Sequence, residues 1–460
     1  MGIQSVITRV ITVAEGRFAP GHLGELTQLV PFEMVDEALA QTRTVQSRIR
    51  DLPSRVVVYL LLAGCLFPDV GYPGVWAKLT AGLSGLPVAA PTAGALAQAR
   101  RRVGAAPLRW LFDLLRGPAA LPRGRGTRWH GLLVCAIDGT TLTVPDSPAN
   151  LTRFTKGGGH HGGTGYPQVR LLALVACGTR TIIDAVFGPT ASGETTYAAG
   201  LLRSLRAGMI VLADRNFAAA GLIAAIAATR ADVLVRVKNG RKLPALRRYR
   251  DGSYLSRMGA TEVRVIEARI TIATSAGRRT GTYRLATTLL DPRAWPAADL
   301  IMLYHQRWEI ETAYLELKST ILGGRVLRAR TPAGLDQEIH ALLVTYQILR
   351  TAMADATACA PGTDPDRASF TIAWQAARDQ LIQAAGIIAG TVIDLIGTIG
   401  RHVLAGLLPD RRLRASPRIV KRAISKYQAR GQHIDRTSYK ATISIDILIP
   451  PETLTPGASP

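Results

Sequence analysis

Cysteine is scarce in this chain, with four in 460 residues. Cys65, Cys135, Cys177 and Cys359 are scattered and form no C-x-x-C pair. That spacing argues against a zinc ribbon and a disulfide framework, and it fits a reducing, cytoplasmic setting. Acidic residues are also in short supply. The 33 Asp and Glu face 56 Lys and Arg, for a formal net charge of +23. A surplus of that size implies a polyanionic partner, and nucleic-acid phosphates are the usual one. Long apolar runs are missing too. The stretch from Val56 to Phe67 falls well short of the roughly 18–20 residues that span a bilayer. The stretch from Gly386 to Gly397 is also short and carries Asp394. Both read as buried helices, and no membrane is expected as a partner. The opening MGIQSVITRV lacks the charged region and apolar core of a signal peptide. No internal repeat is visible, and only the loop from Gly157 to Gly165 is low in complexity.

What is present is a globular balance, 47% hydrophobic and 19% charged. The length exceeds one ordinary core, so two or three domains are expected. Residues 1–120 read as helical, with helix-like apolar spacing over Phe32 to Arg50 and Ser54 to Leu66, broken by Pro68 and Pro73. The run Ala99-Arg100-Arg101-Arg102 is basic, and Pro118 to Arg128 forms a Gly/Pro/Arg-rich boundary. Strand-like runs follow: Gly131 to Ile137, Gln168 to Cys177 and Thr181 to Phe187. Gly178-Thr179-Arg180 makes a short hairpin turn between the last two. Thr195 to Leu205 reads as a helix, Met209 to Ala213 as a fourth buried strand, and Ala218 to Thr229 as helix again. Three strands, a helix and a strand open an RNase-H-like fold, an α/β core with a buried sheet. From about 232 to 290 the sequence alternates as VLVRVK, EVRVIEARITIA and TYRLATTLL, a β-rich insertion with Arg and Lys at polar positions. Helices are expected from about Ala297 to Ile321 and Leu335 to Ala354. The remainder is mixed and basic, with Arg411, Arg412, Arg414, Arg418, Lys421, Arg422, Lys426 and Arg430.

Phosphodiester chemistry on DNA is commonly run by two divalent metals roughly 3.5–4 Å apart. Mg²⁺ wants hard oxygen ligands and keeps several waters, so a few converging carboxylates suffice. Asp138, in CAIDGTTL, and Asp214, in VLADRNF, each follow an apolar strand, a common address for a catalytic acid. Each could equally be a turn aspartate or a helix N-cap. In YHQRWEIETAYLELK, residues Tyr304, Arg307, Glu311 and Lys318 recur at spacings that keep them near one face of a 3.6-residue helix. A solvated stripe with an Arg307–Glu311 ion pair is the bland alternative.

Tyr304-x2-Arg307-x3-Glu311-x6-Lys318 resembles the Y-R-E-K signature of the IS4 family of bacterial insertion-sequence transposases. The resemblance implies an RNase-H-like catalytic domain with a DDE triad, here Asp138, Asp214 and Glu311, acting as ligands to Mg²⁺, with Mn²⁺ able to substitute. It also implies a β-rich subdomain in the second gap, a helical N-terminal domain containing GHLGELTQLVPFEMVDEAL, and a basic ending such as SPRIVKRAISKY. The domains expected on this reading are 1–120 for DNA-end binding, 121–355 for catalysis and 356–460 for DNA binding or dimerisation. Arg307 and Lys318 would hold transposon-end phosphates, and Tyr304 would offer its hydroxyl to a phosphate or pack beneath it. Trp308 is similar to the tryptophan that commonly follows the signature arginine. Base stacking is one role for it and a core position is the other. Where some relatives place a further stacking tryptophan this chain has Arg284-Leu285-Ala286, with Trp295 nearby. The expected activity is cut-and-paste transposition on double-stranded DNA, carrying terminal inverted repeats and a target, by a homodimer at the nucleoid. A nuclease without strand transfer and an inactive DNA-binding relative are the alternatives. His160 and His161 lack further metal ligands. Glu309 and Glu316 are expected in solvent, and Glu194 at a helix start.

Overall fold

The computed structural model of the chain describes residues 23–48, 50–81, 89–120, 126–156, 165–383, 397–409, 414–415 and 439–448. The chain's opening, the His160–His161 loop, the stretch 386–396 and the basic run 411–430 apart from Arg414 and Ala415 lie outside the described residues.

Among the described residues a 3₁₀ turn, Gly24–Gln28, is followed by the helices α1 Phe32–Gln41, α2 Ser54–Leu66, α3 Tyr72–Leu79, α4 Ala93–Val103 and α5 Ala106–Leu115. Helix α1 ends at Gln41, well before the expected Arg50, where Thr42 turns its hydroxyl back to Ala38 O at 2.6 Å. Strands β1 Arg128–Trp129 and β2 Leu132–Thr143 follow, then a helical turn, α6 Pro148–Leu151, and the hairpin β3 Gln168–Ala176 and β4 Ile182–Pro189. Next come α7 Glu194–Ala198, β5 Met209–Ala213, α8 Ala220–Ala228 and β6 Asp232–Arg236. The inserted strands are β7 Arg247–Arg248, β8 Tyr254–Met258, β9 Thr261–Thr274 and β10 Gly277–Thr287. Helices α9 Ala297–Tyr304, α10 Trp308–Leu315, α11 Pro332–Ala358, α12 Phe370–Gln383 and α13 Gly397–Ala405 precede the short strands β11 Arg414–Ala415, β12 Tyr439–Lys440 and β13 Thr442–Ile447.

These elements form two compact units. The first comprises Met1–Arg128, Gly139–Gly193 and Glu309–Asp410; the second comprises Trp129–Asp138, Glu194–Trp308 and Arg411–Pro460. The first is centred on α11, which packs on α2, α5, α12 and α13. Helix α2 is apolar all round and is buried along nearly its whole length, as such a helix must be. One side chain ties off its end: Arg328 donates to Gly64 O at 2.9 Å, to the C-cap Phe67 O, and to Val70 O beyond the helix at 3.0 Å. Strands β3 and β4 pair antiparallel in this unit, and Val144 N donates to Pro167 O at 3.0 Å where β3 lies beside the end of β2.

In the second unit β2, β5 and β6 pair in parallel, and β10, β9, β8 and β7 continue antiparallel from β6. The core strands therefore run β4-β3-β2-β5-β6, the arrangement of an RNase-H-like fold. Strand β6 belongs to that core, since it pairs in parallel with β5 from Ile210 to Ala213. The insertion proper thus begins after Arg236 and not at 232. Strand β9 is shared: Thr261–Val265 pair with β8, and Ala268–Ala273 pair with β13 from the distant C-terminal part of the chain. A buried guanidinium ties the insertion to the start of α9, with Arg264 donating to Trp295 O at 2.6 Å and to Asp251 Oδ2 at 3.3 Å.

Burial of ionisable groups makes this fold sensitive to alkali. Desolvation pushes the Cys65 thiol from 9.0 up to about 12 and the Tyr72 phenol from 10.0 up to about 12. The phenols of Tyr59 and Tyr346 are pushed up by the same cause. Between pH 9 and 12 the unfolded chain releases these protons while the native chain keeps them, so stability falls as pH rises through that window. Melting temperatures measured at steps from pH 8 to 11 should decline ever more steeply; a flat profile would contradict the buried positions of these groups.

Candidate active site

The geometry starts from two apolar strands. Leu133–Ile137 of β2 and all of β5 are buried, as expected for central strands covered on both faces. Their parallel register runs from Leu133 opposite Met209 to Ile137 opposite Ala213, and there it stops. The next residues are Asp138 and Asp214, so the two acids occupy neighbouring positions where the pairing of β2 with β5 stops. Open α/β sheets place ligands at the carboxyl edge of such strands. Asp138 is not past the end of its strand, as the sequence led us to expect. Strand β2 runs on to Thr143, beyond the last pair with β5. Asp214 does serve as an N-cap: its Oδ1 accepts from Asn216 N at 2.7 Å, at the start of a 3₁₀ turn over Arg215–Phe217. The capping alternative weighed from sequence is therefore one of its roles.

The signature segment is not one regular helix. Its α9 ends at Tyr304, a 3₁₀ turn covers His305–Arg307, α10 resumes at Trp308, and a π-helical segment spans Glu316–Ile321. Irregular segments of this sort cluster at functional sites. Arg307 Nη1 lies 3.3 Å from Asp138 Oδ2, with side chains only 11% and 20% exposed. Within the first unit, Lys318 Nζ lies 3.3 Å from Thr140 Oγ1. Asp138 and Thr140 are two apart on β2 and so share a face of it.

Of the two placements expected for Tyr304, the phosphate-facing one and the packed one, the structure has the packed one. It is buried, and its hydroxyl donates to Ala213 O at 3.1 Å, next to Asp214. Burial pushes its phenol well above the ordinary range, with Arg307 and Arg236 pulling the other way. Trp308 is 52% exposed and not a core residue, with the Arg307 guanidinium 5.3 Å from its ring centroid. Glu311 is half-buried on α10 and, like Lys318, belongs to the first unit, whereas Asp138, Asp214, Tyr304, Arg307 and Trp308 belong to the second. Glu309 and Glu316 are not solvated. Both are buried in ion pairs with Arg180, and Glu316 also with Arg350. The basic residues that neutralise them come from distant parts of the chain, which no local pattern announces.

Further cations stand at the same sheet edge. Val235 is the register partner of Ala213, so Arg236 emerges beside Asp214, and it stacks on Tyr283 at 4.0 Å. The segment beyond it, which includes β7, carries exposed Lys238, Lys242, Arg247, Arg248 and Arg250. Arg284 pins that loop by donating to Arg241 O and Asn239 O while pairing with Glu267 at 2.9 Å. Its role here is structural. Trp295 likewise packs on Trp129, with centroids 5.2 Å apart. The polar positions of the alternating insertion were the only sequence signal for Arg236.

Among the described residues, no group of three or more His, Cys, Asp or Glu side chains is gathered closely enough to hold a metal ion. The donor chemistry of the strand-end pair still suits a hard divalent cation: two half-buried carboxylates, one already drawing the positive charge of Arg307. Among the described residues, no helix is long and apolar enough to cross a membrane.

Residues 20–113 match the family described as the insertion element 4 transposase N-terminal region, and residues 129–348 match the transposase DDE domain. The chain is 27% identical over 413 residues to the transposase InsG of insertion sequence element IS4 from Escherichia coli K12, covering 86% of this chain and 91% of that one. It is 31% identical over 193 residues to the putative transposase InsZ of the same organism, covering 41% of this chain and 62% of that one. Among solved structures, the piggyBac transposase synaptic complex with hairpin DNA matches with a TM-score of 0.45 at 10% identity, over 88% of each chain. With both family regions present in order and the relative from IS4 aligned along most of its length, the chain belongs to the IS4 family of insertion-sequence transposases and is a DDE-type enzyme.

Proposed function

We propose that this transposase moves its element by cut-and-paste chemistry centred on Asp138, Asp214 and Glu311. The observation that carries the reading is the register of β2 and β5, which sets Asp138 and Asp214 at neighbouring positions where that pairing stops. Asp138, Asp214 and Glu311 would hold divalent cations, Mg²⁺ in the cell, with Mn²⁺ able to replace it. When bound, the metal supplies activation of the attacking oxygen and stabilisation of the leaving one. In the first step water attacks a phosphodiester at the transposon end, a new P–O bond forms, and the 3′-oxygen leaves as a hydroxyl. In the second, that 3′-hydroxyl attacks a target phosphodiester and the target's own 3′-oxygen leaves. One P–O bond is made for each one broken, so joining needs no added energy source.

The chain's own side chains position the DNA. Arg307, a planar fork, and Lys318, a point charge, would hold phosphates next to the carboxylates. Trp308, exposed beside Arg307, offers a face on which an unpaired base can stack. The loop from Lys238 to Arg250 would track the backbone of the duplex, in keeping with the surplus of +23. Tyr304 acts from beneath: its hydroxyl bond to Ala213 O fixes the end of β5 from which Asp214 projects. Two ends must be held together for transfer, so a homodimer on paired inverted repeats is the working form. We further assign end binding to residues 1–120, catalysis to 121–355 and DNA binding or dimerisation to 356–460, in a protein acting at the nucleoid of the bacterial cytoplasm.

The test is excision and joining in vitro, with purified protein, Mg²⁺ and DNA carrying the element's ends. Wild type should yield 3′-hydroxyl ends and joined products, and Glu311→Gln and Asp138→Asn should yield neither. Hydrolysis without joining would leave a nuclease, and DNA bound but uncut with either metal would leave a binding protein. Tyr304→Phe should lower stability by about 1 kcal/mol, the worth of one hydrogen bond. It should leave the affinity for the DNA ends unchanged; a loss of affinity matching that of Lys318→Ala would place the hydroxyl on a phosphate instead. Arg247→Ala should weaken binding equally on all sequences and reduce the salt slope by about 1. Sequence-dependent weakening would refute a backbone role for that loop.

A further inference from the structure

The back of the signature helix carries an ion network that the proposed chemistry does not use. Arg180, in the turn between β3 and β4, places Nε 2.7 Å from Glu309 Oε2 and Nη1 3.6 Å from Glu316 Oε1, and Nη2 pairs with Asp366. Glu316 is also held from α11, by Arg350 Nε at 3.1 Å and by Arg350 Nη2. The Tyr346 hydroxyl lies 3.0 Å from both Glu316 Oε2 and the Arg180 carbonyl. The side chains of Arg180, Glu309 and Arg350 are 8%, 3% and 2% exposed. Three carboxylates and two guanidiniums are thus withdrawn from water around one helix.

Two features indicate more than general cohesion. Glu309 and Glu316 are seven residues apart and share a face, while Glu311 and Lys318 each follow them by two. Two residues turn a helix by about 200°, so the network grips the side opposite Glu311 and Lys318. A slip of one residue would swing Glu311 by about 100°. Secondly, Arg180 has φ +56°, a backbone conformation that costs a side-chain-bearing residue and suits glycine. Glycine there would relax the turn and lose the guanidinium that spans three acids.

We propose that Arg180, with Glu309, Glu316 and Arg350, is a positioning device that fixes the rotation of the signature helix and so aims Glu311 toward its metal. The proposal rests on Glu311 being a metal ligand, as argued above. Arg180 touches no substrate on this account; it acts through Glu309 and Glu316.

The test is Mn²⁺ binding, read by electron paramagnetic resonance of the free ion. The full-length protein would be bound to duplex already ending at the transposon's 3′-hydroxyl, so that no bond remains to be cut. Wild type, Arg180→Lys, Glu311→Gln and the double variant would be compared, each with its melting temperature. Arg180→Lys keeps the charge but loses the planar fork. We expect it to weaken the Glu311-dependent Mn²⁺ affinity about tenfold, and to add nothing once Glu311 is already Gln. Glu309→Gln, which preserves side-chain volume, should behave alike and carries the test if Arg180→Lys fails to fold. A lowered melting temperature with wild-type Mn²⁺ affinity would overturn the proposal, as would a loss that persists in the Glu311→Gln background. If Glu311→Gln alone leaves Mn²⁺ binding untouched, the ligand assignment itself falls and takes the positioning role with it.

Discussion

The parallel pairing of β2 with β5 is the constraint on which the site depends. A strand covered on both faces has no room for an unpaired charge, because desolvating a carboxylate there costs more than any fold can recover. The β2–β5 pairing ends at Ile137 and Ala213, and acids follow it on both strands. Asp138 and Asp214 are the first residues beyond that pairing. Tyr304 fastens the last carbonyl of β5, and Arg307 meets the carboxylate that follows the last pair on β2. The edge is therefore fixed by apolar burial and furnished by polar contacts.

The segment after Pro296 solves a different problem. Its signature residues are spread over about four turns, and a uniform helix would hold them at a uniform pitch. Tightening at His305–Arg307 and widening at Glu316–Ile321 change the phase between Tyr304, Arg307, Glu311 and Lys318. In the second unit Tyr304 turns inward to β5 while Arg307 reaches Asp138, and in the first unit Lys318 reaches Thr140. One apolar-looking stretch of sequence thus serves both a buried anchor and a polar front.

Much of this could be read from the residues alone. MIVLA is a strand because five apolar residues end abruptly at an acid, and the structure gives β5 those same bounds. Strand β2 was read too short, because its polar second half, DGTTLT, carries no apolar signal once it leaves β5. Strand β6 was assigned to the insertion because VLVRVK alternates; its parallel partner, which decides the matter, is not visible locally. Glu309 and Glu316 were read as solvated for the same reason. A buried acid is recognisable only with its cation, and Arg180 is 129 residues from Glu309. Periodicity assumed one regular helix for the signature and missed the irregular turns within it, since 3₁₀ and π segments depend on packing against neighbours.

Strand β9 has a consequence for how the protein is made. Its outer half pairs on one side with β10 and on the other with β13, which lies far downstream in the chain. During synthesis the ribosome delivers Ala268–Ala273 long before Thr442–Ile447, so one row of backbone donors and acceptors waits unpaired while the intervening helices are built. An open edge of that kind invites pairing with other chains. Any product cut short before residue 442 would carry the exposed edge permanently. Completion of the chain is thus itself a step in closing the sheet, and an interrupted copy differs from a whole one in what it will stick to as well as in what it lacks.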